Sequence, residues 1–175
     1  MIKIIEKLTS NQHREYISNV LNSDYFPWFL GAPGEIYHCF YKYPKGINSG
    51  SYDDVVRLLD FMKDKIKIDT QLLINVQARK RFLPVDETPD VNFAHIKNYK
   101  TLIFCLDDSP GTITFYKEKY FYEMPNKYDP TKLTVDQEIK AEKGLAVYFN
   151  GNNYYKNDFK ECVILDFKIK DDKNN

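Results

Sequence analysis

Short apolar runs separated by polar turns dominate the hydrophobic pattern of this chain. They occur at residues 2–8 (IKIIEKL), 35–43 (EIYHCFYKY), 71–77 (QLLINVQ), 100–106 (KTLIFCL), 112–116 (TITFY), 133–139 (LTVDQEI), 145–149 (LAVYF) and 162–169 (CVILDFKI). Runs this short, rich in β-branched and aromatic residues, predict strands rather than helices. Only two stretches carry a helical period. Thr9 or Ser10 caps the first, which runs to about Leu21 with Tyr16, Ile17, Val20 and Leu21 on one face. The second spans 52–65 behind a capping-box-like Ser51 and Asp54. It turns Val55, Val56, Leu58, Leu59 and Met62 inward and leaves Asp53, Arg57, Asp60 and Lys63 to solvent.

The chain is organised around residues 89–116. The run 100–106 is nearly continuous apolar, the turn Asp107-Asp108-Ser109-Pro110-Gly111 follows, and 112–116 lies at hairpin distance. Asn150-Gly151 predicts another tight turn before the last strand. The expected class is α+β, mainly β: one domain over 1–170, with N-terminal helices and a polar tail over 171–175.

A length of 175 residues suits one domain with a sizeable core. Lys plus Arg and Asp plus Glu each number 25, so no net field favours nucleic acid or anionic membrane. No apolar run approaches the ~20 residues that span a bilayer. The N-terminus reads as an opening strand rather than a signal peptide, and a cytoplasmic setting is expected. Fourteen Tyr and twelve Phe suit aromatic strands. Cys39, Cys105 and Cys162 have no C-x-x-C spacing and read as reduced, packed thiols.

Several chemical candidates reduce to structural roles. His13-Arg14-Glu15 lies on a helix surface, and His38 shares the face of Ile36 and Phe40 as a structural histidine. Arg79-Lys80-Arg81 reads as a solvated edge or a salt-bridge partner. The acids Asp86, Glu87 and Asp90 lack EF-hand spacing. There is no G-x-S-x-G and no P-loop.

Taken together, Pro27-Trp28, the helix at 52–65, the segment 89–116, the Lys143-Gly144 turn into Phe149-Asn150-Gly151, and the strand 163–167 resemble the Fe(II)/2-oxoglutarate dioxygenases, especially the small phage and marine-microbial type. The resemblance implies a double-stranded β-helix, or jelly roll. It also implies positions for a facial triad of two His and a carboxylate, and for an Arg that binds the cosubstrate. The first His position matches Asp90, the carboxylate matches Asn92, the distal His matches Tyr155 or, less well, Tyr154, and the Arg falls near Cys162, with Lys160 close by. No H-x-D occurs anywhere and no His follows His95, so His95 with Asp90 is the remaining metal candidate.

The expectation is a fold that has kept its frame and lost its iron, with no cofactor. It would act through a protein partner or self-assembly, as a host-cytoplasmic or virion component if phage-encoded. An exposed aromatic patch around Tyr25–Trp28 or at Tyr154-Tyr155 would support this. Two alternatives stand beside it. One is an Fe(II)/2-oxoglutarate hydroxylase with an unusual site built on His95, Asp90 or Asp86. The other is a small-molecule or glycan binder with a pocket lined by Phe104, Tyr154 and Tyr155.

Overall fold

The computed structural model describes residues 1–6, 11–31, 34–62, 64–82, 98–108, 111–124, 126–158 and 162–171. Their strands form two antiparallel sheets. The larger contains β1 (Ile2–Ile5), β2 (Phe29–Leu30), β3 (Glu35–Lys42), β4 (Gly46–Ile47), β5 (Leu73–Arg81), β6 (Tyr99–Cys105), β9 (Ala146–Asn150) and β11 (Val163–Lys170). Its order is β1-β9-β6-β11-β5-β3-β2, with β4 also on β3. The smaller runs β10-β7-β8, from β7 (Thr112–Lys119), β8 (Val135–Lys140) and β10 (Asn153–Asn157).

Successive side chains of a strand point to opposite faces, so a continuous apolar run fits a sheet covered on both sides. β6 shows this directly. Leu102 and Phe104 enter one core, and Ile103 and Cys105 enter another. The first core lies under the helices, where α1 (Asn11–Leu21) contributes Ile17 and Leu21, and Val55, Leu58, Leu59 and Met62 pack from the second helical segment. The second core lies between the two sheets. There Ile103, Val147, Phe149 and Ile164 meet Ile113, Phe115, Ile139 and Tyr155. Two sheets enclosing a core, with helices outside the larger one, make the mainly β, jelly-roll-like fold that the resemblance implies.

The connections differ from the sequence reading. Residues 100–116 do not form a hairpin, because β6 and β7 belong to different sheets. Both edges of β6 are taken, by β9 and β11, so the turn carries the chain across to the smaller sheet. Asp107 secures that crossing. One carboxylate oxygen accepts from Ser18 Oγ at 2.7 Å and the other from the Val163 backbone N–H at 3.4 Å. The Asn150-Gly151 turn does the same between β9 and β10, and Gly151 lies against the Tyr99 ring, where an added Cβ would collide.

The second helix is also shorter than expected. It is α-helical over α2 (Tyr52–Val56) and tightens to a 3₁₀ helix over Arg57–Met62. A three-residue repeat brings Val55 with Leu58, and Leu59 with Met62, onto the buried side. Ser51 makes no side-chain cap. Asp54 is engaged with α1 instead: its carboxylate accepts from Tyr16 Oη at 3.2 Å, and its carbonyl lies 3.0 Å from His13 Nε2. That bond holds Tyr16 at the surface, and Arg14, Ile17 and Leu21 form the inward face of α1. Among the described residues, no helix is long and apolar enough to cross a membrane.

Candidate functional site

The interior between the sheets has an apolar part and a polar part. In the apolar part three rings interlock. Phe115 meets Phe149 edge-on at 4.8 Å between centroids, Phe149 meets Tyr155 at 4.9 Å, and Phe115 lies 6.1 Å from Tyr155. Such geometry adds roughly 0.5–1.5 kcal/mol per pair beyond area burial. Tyr155 is 3% exposed, so the position that matches a distal His holds a phenol ring packed into a core. Cys162, near the position that matches the cosubstrate Arg, is buried in the same cluster as Cys105. Burial pushes the Cys105 thiol well above its usual range, and the neighbouring Cys162 adds to the shift.

The pH consequence has a definite sign. A thiol or phenol whose proton is held more tightly in the fold supports stability fully below its unfolded value, and that support is lost as pH rises. Burial also raises the phenols of Tyr148 and Tyr154. Stability therefore falls above about pH 8.5, where unfolded thiols ionise, and falls more steeply above about pH 10, where unfolded phenols follow. Urea midpoints measured across this range check the slope. A chromogenic disulfide reagent gives an independent reading: in the folded protein it reacts with half-buried Cys39 and leaves Cys105 and Cys162 untouched.

The polar part lies on the inner face of the larger sheet. Asp166 pairs across the ladder with Ile103 and Gln77, and Lys168 with Thr101 and Asn75. Lys168 Nζ sits 2.9 Å from Asp166 Oδ1 and 3.1 Å from Thr101 Oγ1. Arg79 reaches Asp166 Oδ2 at 3.8 Å. The basic run thus supplies a salt-bridge partner, but not from a solvated edge, because β5 lies between β11 and β3. The sequence reading missed Asp166 and Lys168. The signal was two charges spaced i, i+2 inside the apolar run CVILDFKI, which places both on one face.

The predicted pocket of Phe104, Tyr154 and Tyr155 is not one place. Phe104 faces the helices, in the core on the opposite side of the sheet from Ile103. Tyr154 packs edge-on to Tyr120 at 6.1 Å, on the other face of β10 from Tyr155. Strand alternation separates all three, and the predicted exposed patch at Tyr154-Tyr155 is buried. His38 has the structural role expected: Nδ1 lies 2.7 Å from the Pro27 carbonyl, and the ring is flanked by Phe26 and Phe40. Asp86, Asp90, Asn92, His95 and Lys160 lie outside the described residues.

Among the described residues, no three His, Cys, Asp or Glu side chains gather as a metal site. Asp166 is the only buried carboxylate among them, and it already faces an ammonium. Tyr155 and Cys162, which the resemblance sets at the distal-His position and near the Arg position, lie in one packed apolar cluster, and neither side chain fits the role of an imidazole or a guanidinium there.

No protein-family model matches the sequence, and no curated protein matches it. Solved structures do match the fold. A 2OG-Fe(II) oxygenase family oxidoreductase from Burkholderia pseudomallei superposes with a TM-score of 0.66 at 9% identity, over 97% of this chain and 84% of that one. HygX from Streptomyces hygroscopicus, solved with nickel, 2-oxoglutarate and hygromycin B, gives 0.61 at 11%, over 98% and 82%. A prolyl hydroxylase from Trichoplax adhaerens, in complex with a hypoxia inducible factor peptide fragment, gives 0.53 at 15%, over 98% and 84%. The chain has the 2OG-Fe(II) oxygenase-like fold.

Proposed function

We propose that this protein is a non-catalytic form of the 2OG-Fe(II) oxygenase-like fold that acts through its surface, as an interaction or assembly component. The observation that carries the reading is the packing of Tyr155. The ring at the distal-ligand position is interlocked with Phe115 and Phe149, so that position serves the core. On the resemblance to small phage-type sequences, we assign it to a virion or to the host cytoplasm of a phage.

The surface supports the same reading. Tyr25 is 96% exposed, Leu30 88% and Phe29 54%, and the last two form β2, at the end of the larger sheet. An apolar edge of this kind favours association. Trp28 is tied down by donating Nε1–H to the Leu21 carbonyl at 3.1 Å, so the accessible patch centres on Tyr25, Phe29 and Leu30.

Sedimentation and affinity capture with the intact protein test the assignment. The wild type self-associates or captures a specific partner, and Leu30→Asp weakens that association at least about tenfold, the effect of ~1.4 kcal/mol, without lowering the melting temperature. A strict monomer that captures nothing would overturn the assignment.

A further inference from the structure

The smaller sheet ends on β8, and among the described residues no strand lies beyond it. An edge strand presents unpaired backbone N–H and C=O groups to any chain that can match it. Which groups face out follows from the ladder to β7. The Ala141 N–H donates to the Gly111 carbonyl at 3.0 Å, in step with the register that pairs Thr112 with Lys140 and Ile113 with Ile139. Backbone groups alternate between the two sides of an antiparallel strand. Gln137, Ile139 and Ala141 therefore turn theirs to β7, and Glu138 and Lys140 turn theirs outward. The side chains alternate between faces as well. Ile139 is buried between the sheets, while Asp136, Glu138 and Lys140 are exposed on the outer face. Neither Glu138 nor Lys140 makes an ion pair with a described residue.

An antiparallel copy of β8 fits this edge in one register. About a two-fold axis through the sheet, facing residues share a face, and the new backbone bonds join the outward-turned residues. Centring the axis on Gln137 sets Asp136 against Glu138, and centring it on Glu138 sets that residue against itself. Like charges directly opposite are destabilising. Centring it on Ile139 sets Glu138 against Lys140 of the second copy, twice, and the two Ile139 positions meet at the axis. We infer that the β8 edge is a self-association surface whose partner is a second copy of this chain, added antiparallel about a two-fold axis at Ile139. The two smaller sheets then become one continuous sheet. The exposed charges that discourage an unrelated strand are matched by an identical one. This assignment rests on the reading that the protein acts through its surface, and it names one contact and its partner. The patch at Tyr25, Phe29 and Leu30 is a separate contact, on the larger sheet.

Sedimentation and hydrogen exchange of the full chain test it. As concentration rises, the wild type passes from monomer to dimer, and the amides of Glu138 and Lys140 become at least about tenfold better protected. Glu138→Lys and Lys140→Glu each set like charges opposite one another and weaken the dimer at least about tenfold. The double variant Glu138→Lys/Lys140→Glu restores it, because the exchanged charges meet again across the axis. All three variants alter exposed side chains and keep the melting temperature of the dilute monomer. A dimer whose Glu138 and Lys140 amides stay unprotected would overturn the inference, as would a double variant no stronger than the single ones. Leu30→Asp separates this contact from the patch on the larger sheet. Self-association lost with Lys140→Glu and kept with Leu30→Asp supports the β8 contact. The reverse pattern, or a monomer that captures a different protein, overturns the β8 contact and leaves the surface reading standing. A strict monomer that captures nothing overturns both.

Discussion

Truncating Phe149 to alanine lowers the stability of the fold by about 3–5 kcal/mol, the range for deleting a buried Phe. The ring is 1% exposed and lies within 5 Å of both neighbouring rings, at 4.8 Å from Phe115 and 4.9 Å from Tyr155. It enters the core between the sheets from the larger one, and its two partners come from the smaller one. Removing it therefore loosens the contact between the layers as well as burying less surface. Urea denaturation reads the effect as a drop in midpoint with an unchanged slope. A cost below about 1 kcal/mol would mean that the space closes easily and that Tyr155 is not locked in place.

Asp166→Ala carries a penalty of similar size for a different reason. Taking away one partner of a buried ion pair costs about 3–5 kcal/mol, because the remaining charge loses its compensation inside the protein. In this case both the Lys168 ammonium and the Arg79 guanidinium lose their shared carboxylate. Replacing both members with apolar groups of similar shape removes the orphaned charge, so Asp166→Leu with Lys168→Met is less destabilised than Asp166→Ala alone. A full double-mutant cycle measures the coupling. Equal losses in the single and double variants would show that the pair contributes packing rather than charge compensation.

The parts of this fold that could be read from the chain are those set by alternation. KTLIFCL announces a strand buried on both faces, and it supplies Leu102 and Phe104 to one core and Ile103 and Cys105 to the other. Connectivity was less legible. Asp107–Gly111 and Asn150-Gly151 have the chemistry of hairpin turns, yet both join strands of different sheets. Turn residues fix a reversal of direction, whereas the choice of partner depends on which edges of β6 and β9 are already filled. β10 was missed for a related reason: NYYKN follows a turn dipeptide and lacks an apolar repeat, although Asn153, Tyr155 and Asn157 are buried. At the candidate site the sequence placed Tyr155 and Cys162 at the matched positions. It grouped Phe104 and Tyr154 with Tyr155 by composition, and the pleat separates them. Asp166 and Lys168 were overlooked because their surroundings are so apolar that the two charges read as part of a strand.

On the proposed reading, the interior serves packing and charge compensation instead of iron chemistry. Calorimetric titration of the purified protein with Fe(II) or Mn(II), with and without 2-oxoglutarate, tests it most directly. No binding is expected at millimolar metal under either condition. Tight metal binding that requires 2-oxoglutarate would contradict it and identify a working oxygenase centre.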